Sequence, residues 1–551
     1  MNKKMTRLLT LAALGLAFGA HAQSNGDYRS VASGNFSVPA TWERYDSVTA
    51  TWITPSAKPG SGNNVLVRAG HVVTLDAGSS THNSKALVIE SGATLKSDGL
   101  AQRTLRVYGP NYTNNGTVGG GPAQDSITLE TAQASGAVTF GGSGTTQVNR
   151  LRAYYGVTST VTFDHNVSVN YRNAGAWTAY YNNSSSSATD NVTFTINAGK
   201  TVKLTDSASF HSNSAATANP GGSYTYNING TLDMSTSGGT SYLVRNSQTA
   251  TSLVKVNVGG LMKIGSGFST TNSTPGVANG AVQLNVMAGG VVDASATRKL
   301  TMDSTTFVMG SGTAVFKRVV AAVDTTFPIS MTAGGYNAVT MNNAGTADTF
   351  SVKLQSTFSQ SGIDATKLVN TQWTIAESVV GGTNTSLKLA WLTASQASGF
   401  SPATVSIYRY ANGHWKEYPA TVAGSGTLAA PYIASVASVD TMGIFVVGNA
   451  GLALTGNQNG ITGVNGVNGS ISIAPNPVMD HQLHIRLAGL DAGSYNVSVY
   501  NMAGQKVAGT AVSHSGSSSA HTIELPATAA GMYQVQVSSG REQMTQRIIV
   551  Q

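Results

Sequence analysis

The sequence predicts an all-β protein, in which a right-handed parallel β-helix is followed by a β-sandwich and a small C-terminal β-domain. Units of strand, glycine corner and strand recur along the chain, and apolar residues alternate with polar ones between the corners. Charged residues make up only 10% of the chain, against about 25% in an average globular protein. The 551 residues include no cysteine, so buried area and hydrogen bonds must hold the fold together.

The N-terminal segment 1–22 has the features of a signal peptide and lies outside the predicted fold. A basic start at Lys3, Lys4 and Arg7 precedes an apolar run over 8–20, and "AHA" at 20–22 forms a small-residue cleavage site. Removal of these three basic residues lowers the formal charge from +8 to +5. No later stretch has the length and apolarity of a transmembrane helix. The sequence lacks the Lys/Arg cluster that nucleic-acid binding requires, so no nucleic-acid partner is predicted. A polyanionic glycan remains an open alternative as a partner.

Four segments at a constant interval form the clearest repeat. Its copies are "FTINAGKTVKL" (194–204), "YTYNINGTLDM" (224–234), "VKVNVGGLMKI" (254–264) and "LNVMAGGVVDA" (284–294). In rows of 30, Phe194 aligns with Tyr224, Val254 and Leu284. The same rows align two polar columns at the corner: Asn197, Asn227 and Asn257, then Lys200, Gly230, Gly260 and Gly290. Looser copies at 64–76 and 86–97, and a last one at 313–318, extend the pattern.

A strand–corner–strand unit of about 20–30 residues fits one coil of a parallel β-helix. Such a unit cannot bury its apolar face alone, so successive coils stack and share one core. Equivalent residues then form columns at about the strand spacing of 4.8 Å, and stacked asparagines can bond to one another. A β-propeller is the alternative, although its blades need about 40 residues and four strands.

One column carries charge of alternating sign. Lys203, Asp233, Lys263 and Asp293 recur at the same interval as the repeat, so stacking would place opposite charges side by side. The column is interpreted as a surface feature that sets the register, since exposed pairs are weak and common. A charged binding stripe is the functional alternative.

The remaining segments complete a five-part organisation. Residues 28–62 would form an N-terminal cap with Trp42 and Trp52, because an open coil end exposes strand edges. From 314 onward about eight alternating strands predict a sandwich, with a hairpin at Asn412-Gly413. Its core would contain Trp373, Trp391 and Trp415. The predicted divisions are 1–22 signal peptide, 23–313 capped β-helix, 314–450 β-sandwich, 451–470 flexible linker and 471–551 C-terminal domain.

The C-terminal domain carries the most specific resemblance to a known family. Its elements are "ISIAPNPVMD" (471–480), "YNVSVYNMAGQKV" (495–507), "IELPATAAGMYQVQV" (523–537) and a closing "QRIIVQ". They resemble the type A sorting domain of the type IX secretion system, an immunoglobulin-like sandwich of seven strands. The matching residues are Pro475, Asn476, Pro477, Gly504, Gly531, Tyr533 and Arg547, although Gln551 ends the chain where the family usually has a basic residue.

The resemblance implies a route and a location. The protein would use the type IX secretion machinery as a partner and be released or attached at the outer cell surface of a Gram-negative bacterium. The opening "SGNFSVPATWE", with "GHVVTLD" and "GATL" after it, loosely resembles exported β-helix proteins of Bacteroidetes-type bacteria and supports the same expectation.

The sequence contains few signs of catalysis. No GxSxG, HExxH, P-loop or dinucleotide motif occurs, so no cofactor, no metal site and no catalytic residue is predicted. His481 and His484 lie three apart, on opposite faces of a strand. The Gly259-Gly260 pair follows a strand but opens no helix, so it is a corner rather than an anion-binding loop.

The best candidate for a ligand site is the segment 150–181. It combines Arg150, Arg152, Arg172, Asp164 and His165 with the candidate binding residues Tyr154, Tyr155, Tyr171, Trp177, Tyr180 and Tyr181. Three interpretations compete: aromatic packing in the core, a sugar-binding platform, and catalysis by Asp164 and His165. Neighbours on a strand point to opposite faces, which disfavours catalysis by that pair.

These observations predict a non-enzymatic, adhesin-like β-helix protein that contacts glycans or other surfaces. The alternative is a polysaccharide lyase or glycoside hydrolase, which would need either clustered carboxylates or an Arg or Lys base with metal-bound carboxylates. An inert structural component of a matrix is a third hypothesis.

Overall fold

We describe a computed structural model of the chain. The structure describes residues 23–119, 126–132, 135–153, 158–170, 178–182, 191–205, 209–213, 223–235, 244–246, 253–265, 282–295, 308–411, 413–454, 470–473, 476–479, 481–488, 490, 492–516, 518–526, 529–539 and 543–551. The predicted signal peptide and most of the predicted linker lie outside these residues. In the described parts, no helix is long and apolar enough to cross a membrane.

The chain begins with a small cap. Its elements are β1 (Tyr28–Ser30), β2 (Gly34–Asn35), a 3₁₀-helix (Pro39–Thr41), β3 (Trp42–Asp46) and β4 (Thr51–Ile53).

Stacked coils follow the cap. Their strands are β5 (Val65–Val67), β6 (Val72–Leu75), β7 (Thr81–Ser84), β8 (Leu87–Ile89), β9 (Thr94–Ser97), β10 (Arg103–Val107), β11 (Asn111–Asn114), β12 (Thr117–Val118), β13 (Ile127–Thr131), β14 (Ser135–Gly141), β15 (Thr145–Val148), β16 (Arg150–Ala153), β17 (Thr158–Phe163), β18 (Val167–Asn170), β19 (Thr178–Asn182), β20 (Asn191–Ile196), β21 (Thr201–Thr205), β22 (Ser209–Asn213), β23 (Ser223–Ile228), β24 (Thr231–Asp233), β25 (Val244–Asn246), β26 (Leu253–Val258), β27 (Leu261–Lys263), β28 (Val282–Val286), β29 (Val291–Ala294) and β30 (Val308–Gly310).

Antiparallel strands dominate the next region. It contains β31 (Val315–Val320), β32 (Thr325–Phe327), β33 (Ile329–Ser330), β34 (Val339–Asn343), β35 (Asp348–Gln355), β36 (Gln372–Glu377), β37 (Thr385–Trp391), β38 (Val405–Ala411), β39 (His414–Pro419), β40 (Thr421–Ala423), β41 (Tyr432–Val439) and β42 (Gly443–Asn449), with 3₁₀-helices at Ala365–Lys367 and Thr393–Ser395.

The described part of the C-terminal domain has seven strands in two sheets. They are β43 (Ser470–Ile473), β44 (Gln482–Ala488), β45 (Gly493–Asn501), β46 (Lys506–His514), β47 (Ser518–Glu524), β48 (Gly531–Ser538) and β49 (Gln543–Val550). One sheet has the order β43–β44–β47 and the other the order β46–β45–β48–β49. Their apolar residues form a separate core, as the predicted seven-strand sandwich requires.

Three long sheets run along the stack of coils. Sheet A has the order β33–β30–β28–β26–β23–β20–β17–β14–β11–β8–β5–β1–β3–β4. Sheet B begins β2–β6–β9–β12–β15–β18–β21–β24–β27–β29–β31, and sheet C is β25–β22–β19–β16–β13–β10–β7. Consecutive coils pair in parallel within each sheet. This arrangement confirms the all-β fold with a parallel β-helix.

The coils enclose one continuous apolar core, in which an aromatic column crosses sheet A and shifts by two register positions between Phe163 and Phe194. Tyr112, Phe140, Phe163, Phe194 and Tyr226 are at most 2% exposed. Their successive ring centroids are 5.1, 4.9, 4.7 and 5.6 Å apart. Each such contact adds about 0.5–1.5 kcal/mol beyond burial, so this column ties five coils together.

The corner that leads into sheet B needs a glycine because consecutive coils approach closely there. A Cβ on Gly260 would lie 2.1 Å from the carbonyl oxygen of Gly230 and 2.5 Å from that of Asn229. The amide of Leu261 donates to that same Gly230 oxygen at 2.8 Å. The glycines therefore serve coil stacking, as the repeat predicts.

The alignment in rows of 30 is right for sheet B and partly wrong for sheet A. Phe194 pairs with Tyr226 rather than Tyr224, and Asn197 lies two positions beyond the residue that pairs with Asn227. The cause is corner length: residues 197–200 form a four-residue corner, but 229–230 form a two-residue corner. The same two-residue difference shifts Leu284, which pairs with Val256 rather than Val254.

Two polar columns survive this correction. Asn227, Asn257 and Asn285 stack, and their side-chain amides bond at 2.9 and 2.8 Å. Lys203, Asp233, Lys263 and Asp293 occupy one column of sheet B, and Lys317 extends it. The Lys263 Nζ lies 3.9 Å from an Asp233 oxygen. The alternating charge column is thus confirmed.

The sandwich continues the β-helix without a break in sheet B. β31 is parallel to β29 on one side and antiparallel to β35 on the other. Sheet B then extends through β35–β36–β42–β38–β39, and β32–β34–β37–β41–β40 form a second sheet, sheet D. One cluster of buried residues spans coils and sandwich, so the sandwich covers the C-terminal end of the coil stack.

The predicted tryptophans divide between core and surface. Trp42, Trp373 and Trp391 are at most 1% exposed. Trp415 is half-buried and donates from Nε1 to the Ser361 carbonyl at 2.9 Å. Trp52 lies on the surface of the cap, where the Arg29 guanidinium stands 4.1 Å above its ring. It also packs against Tyr45, at 5.4 Å between ring centroids, although β4 is the outermost strand of sheet A.

Replacement of Gly260 by alanine tests the close approach of the coils. The new Cβ would push two backbone carbonyls of the preceding coil, so we expect a loss of about 1–3 kcal/mol in the free energy of unfolding, measured by urea titration. Gly62→Ala is the control, because a Cβ there meets nothing within 4 Å. Equal stability of the two variants would contradict this account of the corner.

The buried His82 predicts a dependence of stability on pH. Its ring packs edge-on against Phe36 at 5.0 Å, and burial lowers its pKa from 6.5 to about 4. A lowered histidine pKa means that the unfolded chain binds the proton first. The stability is therefore complete above about pH 6.5 and falls towards pH 4, by about 3 kcal/mol in total. Unfolding midpoints of His82→Gln should depend less on pH than those of His414→Gln, which alters an exposed histidine. Equal dependence would contradict the assignment.

Candidate functional site

The predicted aromatic cluster is only partly described. Tyr154, Tyr155, Tyr171 and Trp177 lie outside the described residues. Tyr180 and Tyr181 lie on β19, the fifth strand of sheet C counted from β7. They occupy successive positions of a strand and therefore belong to columns on opposite faces of the sheet.

The two columns differ in character. Tyr180 pairs with Leu151, and this column also contains Leu129 and Leu105. These three leucines are buried. Tyr181 pairs with Arg152 on one side and Ser212 on the other. Thus the backbone register places Tyr180 in a core column and Tyr181 in the outward column of sheet C.

This outward column crosses all seven strands of sheet C and defines the candidate site. Because neighbouring strands are about 4.8 Å apart, its length is roughly 29 Å. Its members, in order, are Asn83, Arg106, Glu130, Arg152, Tyr181, Ser212 and Arg245.

A buried ion triad lies within the column. Glu130 is 0% exposed, and its carboxylate accepts a hydrogen bond from Arg106 on one side. On the other side Nε of Arg152 lies 2.8 Å from the second carboxylate oxygen. Arg106 also donates to the Tyr108 hydroxyl at 3.3 Å. The carboxylate orients both guanidinium groups, because a buried charge is stable only where oppositely charged groups are fixed beside it.

Sequence reasoning identified Arg152 and Tyr181 but missed Arg106 and Glu130. The signal was present in three short segments, "TLRV" (104–107), "TLET" (128–131) and "RLRA" (150–153). Each segment places an apolar residue before a charged one. The three segments recur at a nearly constant interval, and the charges of their second members alternate in sign from Arg106 to Glu130 to Arg152. Because this interval is shorter than the 30 residues of the clear repeat, rows of 30 do not align the three segments.

Asp164 and His165 do not form a catalytic pair. His165 is 1% exposed. Its Nδ1 donates to the Gly142 carbonyl at 2.9 Å, and its Nε2 accepts from the Thr146 hydroxyl at 2.8 Å. Burial lowers its pKa, which keeps the ring neutral. Asp164 instead lies at an exposed corner, 4.0 Å from Lys200 Nζ, so His165 serves the core.

The strands of sheet C offer little for acid–base chemistry. On the strands of sheet C the one acidic residue is Glu130, which is bound between two arginines. Across the described ranges, no three His, Asp or Glu side chains form a group that could hold a metal ion.

The predicted sorting residues lie at three places in the C-terminal domain. Gly504, with φ of 80°, forms the turn between β45 and β46. Tyr533 is 7% exposed, and its hydroxyl donates to the Ala529 carbonyl at 2.7 Å. Arg547 is on β49. Pro475 lies outside the described residues.

Asn476 and its neighbours bind the last strand. The Asn476 side-chain oxygen accepts from the Ile549 amide at 2.9 Å. The Val478 amide donates to the Ile549 carbonyl at 2.7 Å, and the Gln551 amide donates to the Val478 carbonyl at 2.9 Å. Gly531 pairs with Val550 on the other edge of β49. The motif that contains Asn476 and Pro477 therefore forms one unit with the end of β49.

Comparison with known proteins identifies this domain. Residues 472–551 match the family model described as a secretion system C-terminal sorting domain. The match confirms the resemblance predicted from the sequence motifs. A comparison with curated proteins found no match.

The sorting domain defines the class of protein. The chain carries the tail of type IX secretion cargo, which indicates a secreted or cell-surface protein that interacts with that secretion machinery.

The contact of Asn476 with β49 predicts a local effect of mutation. In Asn476→Ala the Ile549 amide loses its acceptor, which costs about 1 kcal/mol. Hydrogen exchange of peptides covering 543–551 should become roughly fivefold faster. Asn496→Ala changes an exposed asparagine on β45 and is the control. Unchanged exchange in Asn476→Ala would show that this hydrogen bond does not hold the strand.

Proposed function

We propose that the exported protein is a non-enzymatic, adhesin-like molecule that binds glycans through the outward column of sheet C. In this proposal residues 1–22 direct export, the sorting domain directs passage to the surface of a Gram-negative bacterium of the Bacteroidetes type, and the β-helix makes the contact.

The observation that carries the proposal is the composition of that column. It is about 29 Å long by the strand spacing, and its register positions are occupied by asparagine, arginine, glutamate, tyrosine and serine on successive strands. Polar residues at the constant spacing of the strands suit an extended polymer, because the strands set them at even intervals along its length. Tyr181 adds a tyrosine to this column, and tyrosine rings can stack on a sugar face.

The pairing of the acidic groups supports a binding role over hydrolysis. An enzyme that cleaves glycosides uses one carboxyl as acid and another as base or nucleophile. Glu130 is engaged with Arg106 and Arg152, and Asp164 lies at a corner beside Lys200. A rigid, occupied carboxylate favours recognition, since it orients the guanidinium groups beside it.

A binding screen with a matched pair of variants tests the proposal. The protein lacking residues 1–22 should bind at least one polysaccharide in a panel of plant, algal and host glycans. Tyr181→Ser should weaken that binding about fivefold, for a stacking contribution of about 1 kcal/mol. Tyr45→Ser, on the N-terminal cap, should leave binding within twofold of the parent.

Two results would overturn the proposal. The first is the absence of binding across the panel. The second is the appearance of unsaturated or reducing ends when the protein is incubated with uronic-acid polymers, which would favour the lyase or hydrolase alternative.

A further inference from the structure

The three sheets of the β-helix differ in their charge. Between residues 100 and 250 the chain has six arginines, and five of them, Arg103, Arg106, Arg150, Arg152 and Arg245, lie on strands of sheet C. The described strands of sheet C contain one acidic residue, Glu130. Sheet B instead alternates lysine and aspartate from Lys203 to Asp293 along its charge column, so these four charges cancel.

The outward face of sheet C keeps a net positive charge. Arg103 pairs with Asp98 at 2.5 Å and lies in the inward column of Ile127. Arg150 pairs with Thr128 in the register, next to the outward column of Arg152. The outward positions thus contain four arginines and one glutamate, a net charge of +3 on described strands.

Glu130 fixes the positions of two guanidinium groups without neutralising both of them. One carboxylate lies between two guanidinium groups, which leaves an excess of one positive charge at the triad. The side chains of Arg106 and Arg152 remain 15% and 18% exposed. A guanidinium held by a buried carboxylate loses little further freedom when it binds a ligand.

The chemistry of the ligand follows from these groups. Arginine binds carboxylate and sulfate through paired N–H donors more strongly than it binds neutral hydroxyls. A polymer with an anion on each repeat would meet arginines from several coils along one face. The charge column of sheet B is less suited to such a polymer, because Lys263 already has an aspartate neighbour in Asp233.

We propose that the ligand of the outward face of sheet C is an anionic polysaccharide that carries carboxylate or sulfate groups. This inference rests on the proposed function and specifies its ligand class. The arginine face selects the polyanion, and Glu130 positions two of its guanidinium groups.

The experiment removes two positive charges from either of two faces. Arg150→Gln with Arg245→Gln alters sheet C and leaves the Glu130 triad intact. Lys203→Gln with Lys263→Gln removes the same charge from sheet B and is the matched control. The probes are polygalacturonate, chondroitin sulfate, neutral dextran and duplex DNA, with dissociation constants measured at several salt concentrations.

The inference predicts that binding depends on the negative charge of the ligand and on the outward face of sheet C. The parent should bind at least one of the two anionic polysaccharides at least tenfold more tightly than dextran, and log K should fall with log salt, as expected for release of counterions. The sheet C double variant should lose at least tenfold in affinity, and the sheet B double variant less than twofold. Arg245→Gln alone, which should lose about threefold, serves if the double variant fails to fold. Polygalacturonate and chondroitin sulfate distinguish carboxylate from sulfate.

Three outcomes would overturn the inference. Equal losses in both double variants would mean attraction by net charge alone. Binding of dextran as tight as that of the anionic polymers, with sensitivity to Tyr181→Ser, would remove the charge preference but leave the proposed function standing. Duplex DNA binding that is tightest and lost in the sheet C variant would assign the face to nucleic acid.

Discussion

Hydrogen bonding between consecutive coils at a constant spacing is the constraint on which the rest of this structure depends. Each strand of sheets A, B and C in the coil stack finds its partner in the next coil, in parallel and in register. A residue type that suits one position of a coil therefore suits the equivalent positions of the coils before and after it. This condition produces the asparagine column at the edge and the alternating charges of sheet B. It also forbids a side chain where two corners touch, which is why Gly260 lies against Gly230.

The same constraint explains how the β-helix and the sandwich join. A stack of coils ends in strands with unused hydrogen-bonding edges, which would pair with other chains if left open. β31 meets β29 on one edge and β35 on the other, so parallel pairing changes to antiparallel pairing at a single strand. At the other end, β1 pairs in parallel with β5, and β3 and β4 then add antiparallel strands to the edge of sheet A. The chain itself therefore covers the edge of sheet A at the N-terminal end and the edge of sheet B at the C-terminal end.

Particular residues show how far the sequence could predict this architecture. The glycine corners and the column of Lys203, Asp233, Lys263 and Asp293 were predictable because their interval is constant. The asparagine column was predicted with Asn197 in the wrong place, since a period cannot show that one corner is two positions longer than the next. The triad of Arg106, Glu130 and Arg152 was missed because its members are closer together in the chain than the period of the clear repeat. The bond from Asn476 to Ile549 joins distant parts of the domain, a separation at which pattern alone carries no information.

Corner length is the feature with the widest consequence. A corner of two residues at 229–230 and one of four at 197–200 both deliver the chain to the same column of sheet B. The connections between strands therefore tolerate changes in length that the strands do not, because the columns are defined by pairing and not by counting residues. A gene for such a protein can accept insertions at its corners, and can duplicate whole coils, without loss of the columns that already exist. The outward columns would lengthen as coils are added, so evolution could adjust the reach of a binding face in steps of one coil.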